Sequence, residues 1–359
     1  MTAELLEGSL AIARAALLAD CRFFAGYPMT PFTELLEHMA EALPTEGGVC
    51  INAESELEAV GMAWGALATG ARAATGSTGQ GLALMQESLS EITRAELPLV
   101  VFHMARGQFD YTQATRGGGH GDYRHLVLAP SDVQEAVELT QLAFHLADHW
   151  RNPVQIYGDF FLAHTYESVE LAPLDLPALP EKEWAVDGRL GGSGRSRNLN
   201  PLGMEKGAKG IEPERFWVRL QEKHDRMAET EMRHEAFACE DAELVIVAFG
   251  SLARFARSVV QELRAEGVRV GLFRPISLWP FPAPALSEAA SGARRVAVLE
   301  QNGGQMIDDV RLAVLGRAPV EAIGGISSDD AGFGVGDLYA PAEIRRRVEA
   351  ALAARGGVQ

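Results

Sequence analysis

The chain has 359 residues, and its 32 Lys and Arg residues against 49 Asp and Glu residues give a formal net charge of −17. An acidic surface repels nucleic-acid phosphates and anionic lipids, so we expect neither nucleic acid nor a membrane as a partner. The length predicts two domains at about 150 residues each. Apolar runs stay below the roughly 18 residues of a membrane span. The acidic N-terminus is unlike a secretory signal, so a cytoplasmic protein is expected.

Cysteine is scarce in this sequence. Cys21, Cys50 and Cys239 are the only three, and no two of them have a Cys-x-x-Cys spacing. They are too few for this chain alone to hold an iron-sulfur cluster or a four-thiolate zinc site. Their scarcity fits a reducing compartment, and we expect all three to be small buried apolar residues.

Helices and short apolar strands alternate over the first 170 residues. The predicted helices are 10–18, 34–42, one that follows Ser55, 82–93 and 133–149, and the predicted strands are 21–25, 48–53, 72–75, 99–104, 126–129 and 154–157. Ser55 is predicted to cap its helix, and Thr30 or Thr33 the helix at 34–42. Strands separated by helices are typical of a parallel sheet covered on both faces, so the fold class is α/β.

The composition changes after Val169. Residues 188–209 are rich in Gly, Ser, Arg and Asn and have the character of a linker, and residues 215–235 form a charged helical pattern. A second α/β unit starts near Ala242. Its predicted strands are 244–249, 268–273 and 295–300, and its helices are 252–266, 283–289, one starting at Met306, and 342–353. We predict domains at 1–180 and 236–359, joined by a linker and charged helix at 181–235.

Three carboxylates stand at one strand-to-helix junction, at Glu54, Glu56 and Glu58. Acidic residues in a first helical turn complement the helix dipole, which accounts for Glu54 and Glu58. Glu56 opens a helix that is otherwise rich in small residues and suited to close packing. A carboxylate there could bind a cofactor nitrogen and exchange a proton with it.

The turn at residues 76–81 also joins a strand to a helix. Its GSTGQG sequence has the spacing G-x-x-G-x-G, which differs from the G-x-G-x-x-G motif of nucleotide-binding folds. A tight structural turn and a phosphate-binding loop are equally compatible with it. A nucleotide-binding dehydrogenase is therefore a weakly supported alternative.

Two further segments follow predicted strands at the carboxyl edge, where α/β folds bind ligands. The first is the turn YPMTP at residues 27–31, whose prolines exclude regular helix and expose Thr30. The second contains Arg106, which precedes a glycine and suits bidentate binding of a carboxylate.

The stretch YTQATRGGGHGDYR at 111–124 is polar and rich in glycine, as active-site loops often are. Asp110, His120 and Asp122 could hold a metal ion, but their spacing matches no standard metal motif, so no metal site is predicted.

At these same residues the chain strongly resembles the alpha subunit of the 2-oxoacid:ferredoxin oxidoreductases, and in particular the 2-oxoisovalerate (branched-chain) type. The matching segments run in one collinear order: AGYPMTPFTE (25–34), AESELEAVGMAWGALATGARAATGSTGQGLALMQE (53–87), AELPLVVFHMARG (95–107), DYTQATRGGGHGDYRHLVLAPSDVQE (110–135), RNPVQIYGDFFL (151–162), GLFRPISLWPFP (271–282) and QNGGQMIDDVRLAV (301–314).

The resemblance implies a thiamine-diphosphate enzyme that oxidatively decarboxylates a 2-oxoacid with coenzyme A to acyl-CoA and CO2. The two electrons would pass through iron-sulfur clusters to ferredoxin. The first half would be a pyrimidine-binding domain and the second a transketolase C-terminal-like domain. The family's cofactor-activating glutamate, which partners the aminopyrimidine ring, falls on Glu56. The threonine that faces the substrate falls on Thr30, and the arginine that binds its carboxylate falls on Arg106.

The same resemblance adds neighbouring residues to the site. Tyr27, Pro28 and Gly79 are expected to contact the cofactor, and Tyr111 and His120 are expected to contact the substrate.

The sequence also lacks parts that the reaction needs. It has no Gly-Asp-Gly followed some 25 to 30 residues later by Asn, so a beta subunit is expected to supply the magnesium and diphosphate half of the cofactor site. Gamma-type and delta-type subunits or domains are expected to carry the iron-sulfur clusters, because this chain has no cluster cysteines. On its own the polypeptide is expected to be inactive.

One segment departs from the family pattern. Residues 106–109 run directly into Asp110, whereas family members have a longer Gly- and Pro-rich segment there. A more open pocket for a bulkier or aromatic oxoacid is one hypothesis. The alternatives are thus a 2-oxoglutarate, pyruvate or aryl-oxoacid enzyme within the family, and a non-catalytic transketolase-like scaffold outside it.

Overall fold

The computed structural model describes residues 3–186, 213–332 and 335–354. The segment 188–209, predicted to be a linker, lies outside these residues. The strands are β1 (Glu4–Glu7), β2 (Phe23–Gly26), β3 (Val49–Asn52), β4 (Ala73–Ser77), β5 (Val100–Ala105), β6 (Leu126–Leu128), β7 (Val154–Asp159), β8 (Tyr166–Val169), β9 (His234–Phe237), β10 (Leu244–Val247), β11 (Val270–Pro275), β12 (Ser277–Trp279), β13 (Arg295–Val298) and β14 (Val320–Ala322). The helices are α1 (Gly8–Leu18), α2 (Thr33–Ala42), α3 (Glu56–Ala68), α4 (Gly79–Arg94), α5 (Tyr111–Arg116), α6 (Val133–Trp150), α7 (Phe160–His164), α8 (Pro213–Thr230), α9 (Gly250–Ala265), α10 (Ala283–Ala289), α11 (Met306–Val314) and α12 (Pro341–Ala353).

The first half of the chain forms a sheet with the strand order β12-β6-β7-β5-β4-β2-β3. Strands β2 to β7 run parallel, and only β12 is antiparallel to its neighbour. All six residues of β5 and of β7 are buried, as expected for central strands with both faces covered. The α/β fold class is therefore confirmed. Because the strands are parallel, the loops after β2, β4, β5 and β7 all leave at one edge.

The second half forms a sheet with the order β14-β13-β10-β11-β9, in which only β9 is antiparallel. Strand β12 leaves this unit and pairs with β6, so the second half completes the edge of the first sheet. A separate antiparallel pair joins β1 to β8. Neither the strand exchange nor this pair follows from the local sequence pattern.

Each face of the first sheet is covered by a different layer. Successive residues of β5 point to opposite faces, so Phe102 packs in a cluster with α1, α2 and α6 whereas Val101 packs in a cluster with α3 and α4. The cluster that contains Val101 also includes Val247 and Phe249 from the second half of the chain. The two sheets are thus joined by one continuous apolar core, in which each fully buried large side chain contributes about 1.5–3 kcal/mol.

Several element bounds differ from their predictions: α1 and α9 each begin two residues earlier, and the charged helix predicted over 215–235 ends at Thr230, before β9. Helix α4 begins at Gly79, three residues before the predicted start, because the glycines of the 76–81 segment belong to the strand end and the first helical turn. The prediction that Thr30 or Thr33 caps α2 is wrong, since Phe32 occupies the cap position and no side chain bonds there. The Ser55 cap is confirmed by the Glu58 N–H, which donates to Ser55 Oγ at 3.4 Å.

All three cysteines are free thiols; burial was predicted correctly for Cys21 and Cys239 but wrongly for Cys50, which is half-buried. Burial raises the pKa of Cys21 to about 12 and the pKa values of Cys50 and Cys239 to about 11. Because the thiolate is the reactive form, we expect iodoacetamide at about pH 8 to label the folded chain slowly and the chain in denaturant quickly. Mass spectrometry over time measures this ratio, and equal rates would contradict the thiol environments described.

None of the helices in the three described ranges combines the length and the apolar character needed to cross a lipid bilayer.

Candidate active site

The loops at the carboxyl edge of the first sheet bring together side chains that are far apart in sequence. Glu56 lies in the first turn of α3, after β3, and Ser77 ends the neighbouring parallel strand β4. The turn with Thr30 follows β2, which lies between β3 and β4. Arg106 follows β5 directly. Parallel pairing alone therefore places these four residues at one edge.

Glu56 is a buried carboxylate, with 2% of its surface exposed. Its Oε1 accepts a hydrogen bond from Ser77 Oγ at 2.8 Å. Its Oε2 makes no hydrogen bond within the described part of the chain. A β-carbon at Gly81 would lie 2.4 Å from Glu56 Oε1 and 2.0 Å from Ser77 Oγ. The first turn of α4 can pack this closely against the carboxylate only because residue 81 is glycine.

Replacing Gly81 by Ala is expected to lower the free energy of unfolding by about 1–3 kcal/mol, since the added methyl group overlaps two buried polar atoms. Gly61 provides the matched control, because within the described residues no atom outside its own stretch of helix lies within 4 Å of its missing β-carbon. Gly61→Ala in the exposed interior of α3 is expected to raise that free energy by up to about 1 kcal/mol. Urea unfolding of the three chains measures both changes, and an equal effect of the two substitutions would contradict the geometry.

Arg106 and Thr30 are also brought together. Arg106 is half-buried, and its Nε–H donates to the Thr30 carbonyl oxygen at 3.1 Å. The turn containing Thr30 is held from the other side by Thr78, whose Oγ1 lies 2.7 Å from Met29 Sδ. Tyr27 is half-buried and Pro28 is exposed, and both follow β2 in the same turn as Thr30.

A buried polar network that the sequence reasoning missed lies beside these residues. His103 is fully buried in β5, and its Nε2 lies 3.2 Å from Asp110 Oδ2 while its Nδ1 lies 3.0 Å from Gln155 Nε2. The Asp110 carboxylate covers the Cα of Gly79, where a β-carbon would lie 2.2 Å from Oδ1. A histidine within the apolar run 99–104 was the available signal. The need for glycine at position 79 is explained by this contact, and its contact with a cofactor stays a prediction.

Two candidates lie apart from this group. Tyr111 has 1% of its surface exposed, and its hydroxyl donates to Asp309 Oδ2 of the second half at 2.7 Å. Burial and the Asp309 carboxylate raise the Tyr111 pKa well above its usual value. His120 is exposed, and its backbone N–H donates to Ser90 Oγ at 3.2 Å. Ser90 follows Gly81 by nine helical residues, about 14 Å along the axis of α4, so this chain does not group His120 with Glu56.

Asp110, His120 and Asp122, the three residues that could hold a metal ion by residue type, are not grouped around a common point. Asp110 instead bonds His103, and His120 and Asp122 are both exposed. Across residues 3–186, 213–332 and 335–354, no three His, Cys, Asp or Glu side chains are arranged to hold a metal ion.

Two family models match the chain. "Pyruvate flavodoxin/ferredoxin oxidoreductase, thiamine diP-bdg" matches residues 14–190, and "Pyruvate:ferredoxin oxidoreductase core domain II" matches residues 242–333. The first match contains every residue of the candidate edge site.

Curated relatives are similar over most of their lengths. Ketoisovalerate oxidoreductase subunit VorB of Methanothermobacter thermautotrophicus is 40% identical, and the alignment covers 87% of this chain and 90% of that protein. 2-Oxoglutarate synthase subunit KorA of Methanothermobacter marburgensis is 33% identical, with 97% of this chain and 99% of that protein covered.

Two solved structures are similar to this chain. The 2-oxoglutarate:ferredoxin oxidoreductase from Magnetococcus marinus, solved with 2-oxoglutarate, coenzyme A and succinyl-CoA bound, matches with a TM-score of 0.82 at 26% identity. The match covers 97% of this chain but 65% of that one, so this chain spans about two thirds of that polypeptide. A split-gene transketolase, described as an inactive beta4 tetramer, matches with a TM-score of 0.57 at 15% identity, which shows a similar fold alone. With the sequence relatives and the edge site taken together, the chain belongs to the 2-oxoacid:ferredoxin oxidoreductase family, as a subunit of such an enzyme.

Proposed function

We propose that this subunit provides the cofactor-activating half of an active site that oxidatively decarboxylates a branched-chain 2-oxoacid. The products are acyl-CoA, CO2, a proton and two electrons, and the electrons pass through iron-sulfur clusters to ferredoxin. The observation that carries the proposal is the buried Glu56 carboxylate. Ser77 bonds it, and Gly81 of α4 packs against it, at the carboxyl edge of the sheet. The 40% identity to a ketoisovalerate oxidoreductase subunit supports the branched-chain substrate class.

The residues around Glu56 fit the aminopyrimidine ring of thiamine diphosphate. A carboxylate with one oxygen held by Ser77 and the other without a hydrogen bond in the described chain can accept a ring N–H. With 2% of the residue exposed, the carboxylate as a whole has little contact with water. When bound, the cofactor supplies the electron sink that decarboxylation requires. Glu56 orients the ring and holds or returns its proton.

Arg106 and Thr30 bind and orient the oxoacid in this proposal. A guanidinium binds a carboxylate through parallel N–H donors, and the bond from Arg106 Nε to the Thr30 carbonyl fixes the plane of that group. The binding must stay moderate, because CO2 has to leave from the carboxylate that Arg106 holds. In this proposal Thr30, in the neighbouring turn, contacts the same substrate.

We also infer that the chain acts within a complex in the cytoplasm. Its relatives are named as subunits, and the sequence lacks the diphosphate motif. A beta subunit with the magnesium and diphosphate half, together with iron-sulfur subunits, completes the enzyme. The division into domains at 1–180 and 236–359 is supported by family matches that end at residue 190 and begin at residue 242.

Kinetics of the purified complex test the function. We expect reduction of a viologen dye that requires both coenzyme A and oxoacid, with the highest kcat/KM for 2-oxoisovalerate among branched-chain, aryl, pyruvate and 2-oxoglutarate substrates. A preference for 2-oxoglutarate would reassign the substrate class within the family. A complex that retains no thiamine diphosphate and reduces no dye would favour the scaffold function instead.

A further inference from the structure

The segment that follows Arg106 is held in place by the second half of the chain. We define the clamp loop as residues 301–305, with the sequence QNGGQ, which follows β13 at the carboxyl edge of the second sheet. It contacts residues 107–112, which comprise the connection from Arg106 to α5 and the first two residues of α5. The two carboxyl edges therefore meet at this point.

Gln305 makes the most informative contacts in the clamp loop. Its Nε2 donates to the Phe109 carbonyl oxygen at 2.7 Å, and its Oε1 accepts from the Thr112 N–H at 2.8 Å. One side chain thus bonds the backbone on both sides of Asp110. The Asp110 carboxylate in turn covers Gly79 at the start of α4, so the turn is fixed against the candidate site as well.

Buried amides hold the part of the segment nearer to Arg106. The Gln301 N–H donates to Gln108 Oε1 at 3.0 Å, and Asn302 Nδ2 donates to the Gln108 carbonyl oxygen at 2.8 Å. Gln108 Nε2 donates to the Phe249 carbonyl oxygen at 2.9 Å, and 1% of Gln108 is exposed. A buried polar group loses much more from a missing partner than an exposed one, so these bonds resist displacement of the segment.

The short connection transmits this constraint to Arg106. Only residues 107 and 108 separate Arg106 from Phe109, and a β-carbon at Gly107 would lie 2.7 Å from Gln301 Oε1. Because the buried bonds of Gln108 tie this connection to the clamp loop, a shift of the loop together with the Phe109 backbone is expected to displace Arg106 relative to Thr30. Substrate-binding groups lose effect with displacements of about 1 Å.

We propose that Gln305 is a positioning residue that sets the placement of Arg106 for the oxoacid carboxylate, although it touches no substrate itself. The inference rests on the proposed function, since it takes Arg106 to bind the oxoacid. It gives the second half of the chain a direct part in substrate affinity, in addition to a role as a scaffold.

The test is a double-mutant cycle on the assembled complex with 2-oxoisovalerate as the substrate. Gln305→Met keeps the length of the side chain and removes both hydrogen bonds. We expect the oxoacid KM to rise roughly tenfold with kcat within about twofold, and no further rise when Gln305→Met is added to Arg106→Ala. Asp308→Ala is the matched control, because Asp308 is exposed in the first turn of α11 and pairs with Arg311 at 3.2 Å.

The outcomes separate this proposal from the function on which it rests. The positioning role would be overturned, and the function left intact, if Arg106→Ala raised the oxoacid KM while Gln305→Met had the same KM as the Asp308→Ala control. An unchanged KM for Arg106→Ala would overturn the site itself. Equal KM increases for Gln305→Met in both backgrounds would also overturn positioning through Arg106. If Gln305→Met does not assemble, Gln305→Glu keeps the acceptor for Thr112 and loses the donor to Phe109, and the same KM pattern is required of it.

Discussion

Glu56→Gln in the assembled complex is expected to lower oxoacid-dependent dye reduction by about 100-fold or more. The amide has the size of the carboxylate and can still accept the bond from Ser77 Oγ, so the fold should be kept. What it loses is the ability to hold a proton from the cofactor ring. The activity should therefore fall while the content of bound thiamine diphosphate changes much less.

Glu54→Gln is the matched control for that substitution. Glu54 lies two residues earlier at the same junction, and its side chain is exposed. We expect activity close to that of the unmodified complex, because Glu54 only complements the dipole of α3. Equal losses for Glu54→Gln and Glu56→Gln would show that charge at the junction, rather than a proton held at one atom, explains the effect.

Arg106→Ala is expected to raise the oxoacid KM by roughly 100-fold, the cost of losing two charge-assisted hydrogen bonds to a carboxylate. The value of kcat should change less, because the carboxylate contact is made before and during the reaction alike. Arg106→Lys should have an intermediate effect, since an ammonium group keeps the charge but not the two parallel donors.

Arg124→Ala serves as the control for general loss of positive charge. Arg124 is exposed, and its Nη1 donates to the Tyr123 carbonyl oxygen at 2.9 Å. Steady-state kinetics with the oxoacid varied at saturating coenzyme A separate the two variants. The assignment of Arg106 fails if its KM matches that of Arg124→Ala.

Local sequence patterns predict the central part of the fold. Buried strands such as β5 and β7 show as short apolar runs, and Ser55 marks its helix because a cap needs only its own side chain and the next turn. Elements defined by distant contacts are missed. Strand β12 has a partner about 150 residues earlier in β6, and the short helix α5 lies within a glycine-rich stretch that has no helical pattern.

The same distinction applies to the site. Glu56, Thr30 and Arg106 were predicted from their places after strands, and the structure brings them to one edge because parallel pairing repeats that place. Their roles stay predictions until they are tested by substitution. The placement of Tyr111 could not be read from the sequence, since its partner Asp309 is 198 residues away. The sequence likewise gave no indication of a role for Gln305, because its partners Phe109 and Thr112 are also distant along the chain.

The rate of deuterium exchange at the reactive thiazolium carbon tests the central claim most directly, because it reports cofactor activation without oxoacid or electron acceptor. Measured by NMR after acid quench of the assembled complex, the exchange should be fast in the unmodified enzyme and in Glu54→Gln. It should slow by about 100-fold or more in Glu56→Gln, because the proton-holding carboxylate is gone. An exchange rate in Glu56→Gln equal to that of the unmodified complex would contradict the claim that this chain activates the cofactor through Glu56.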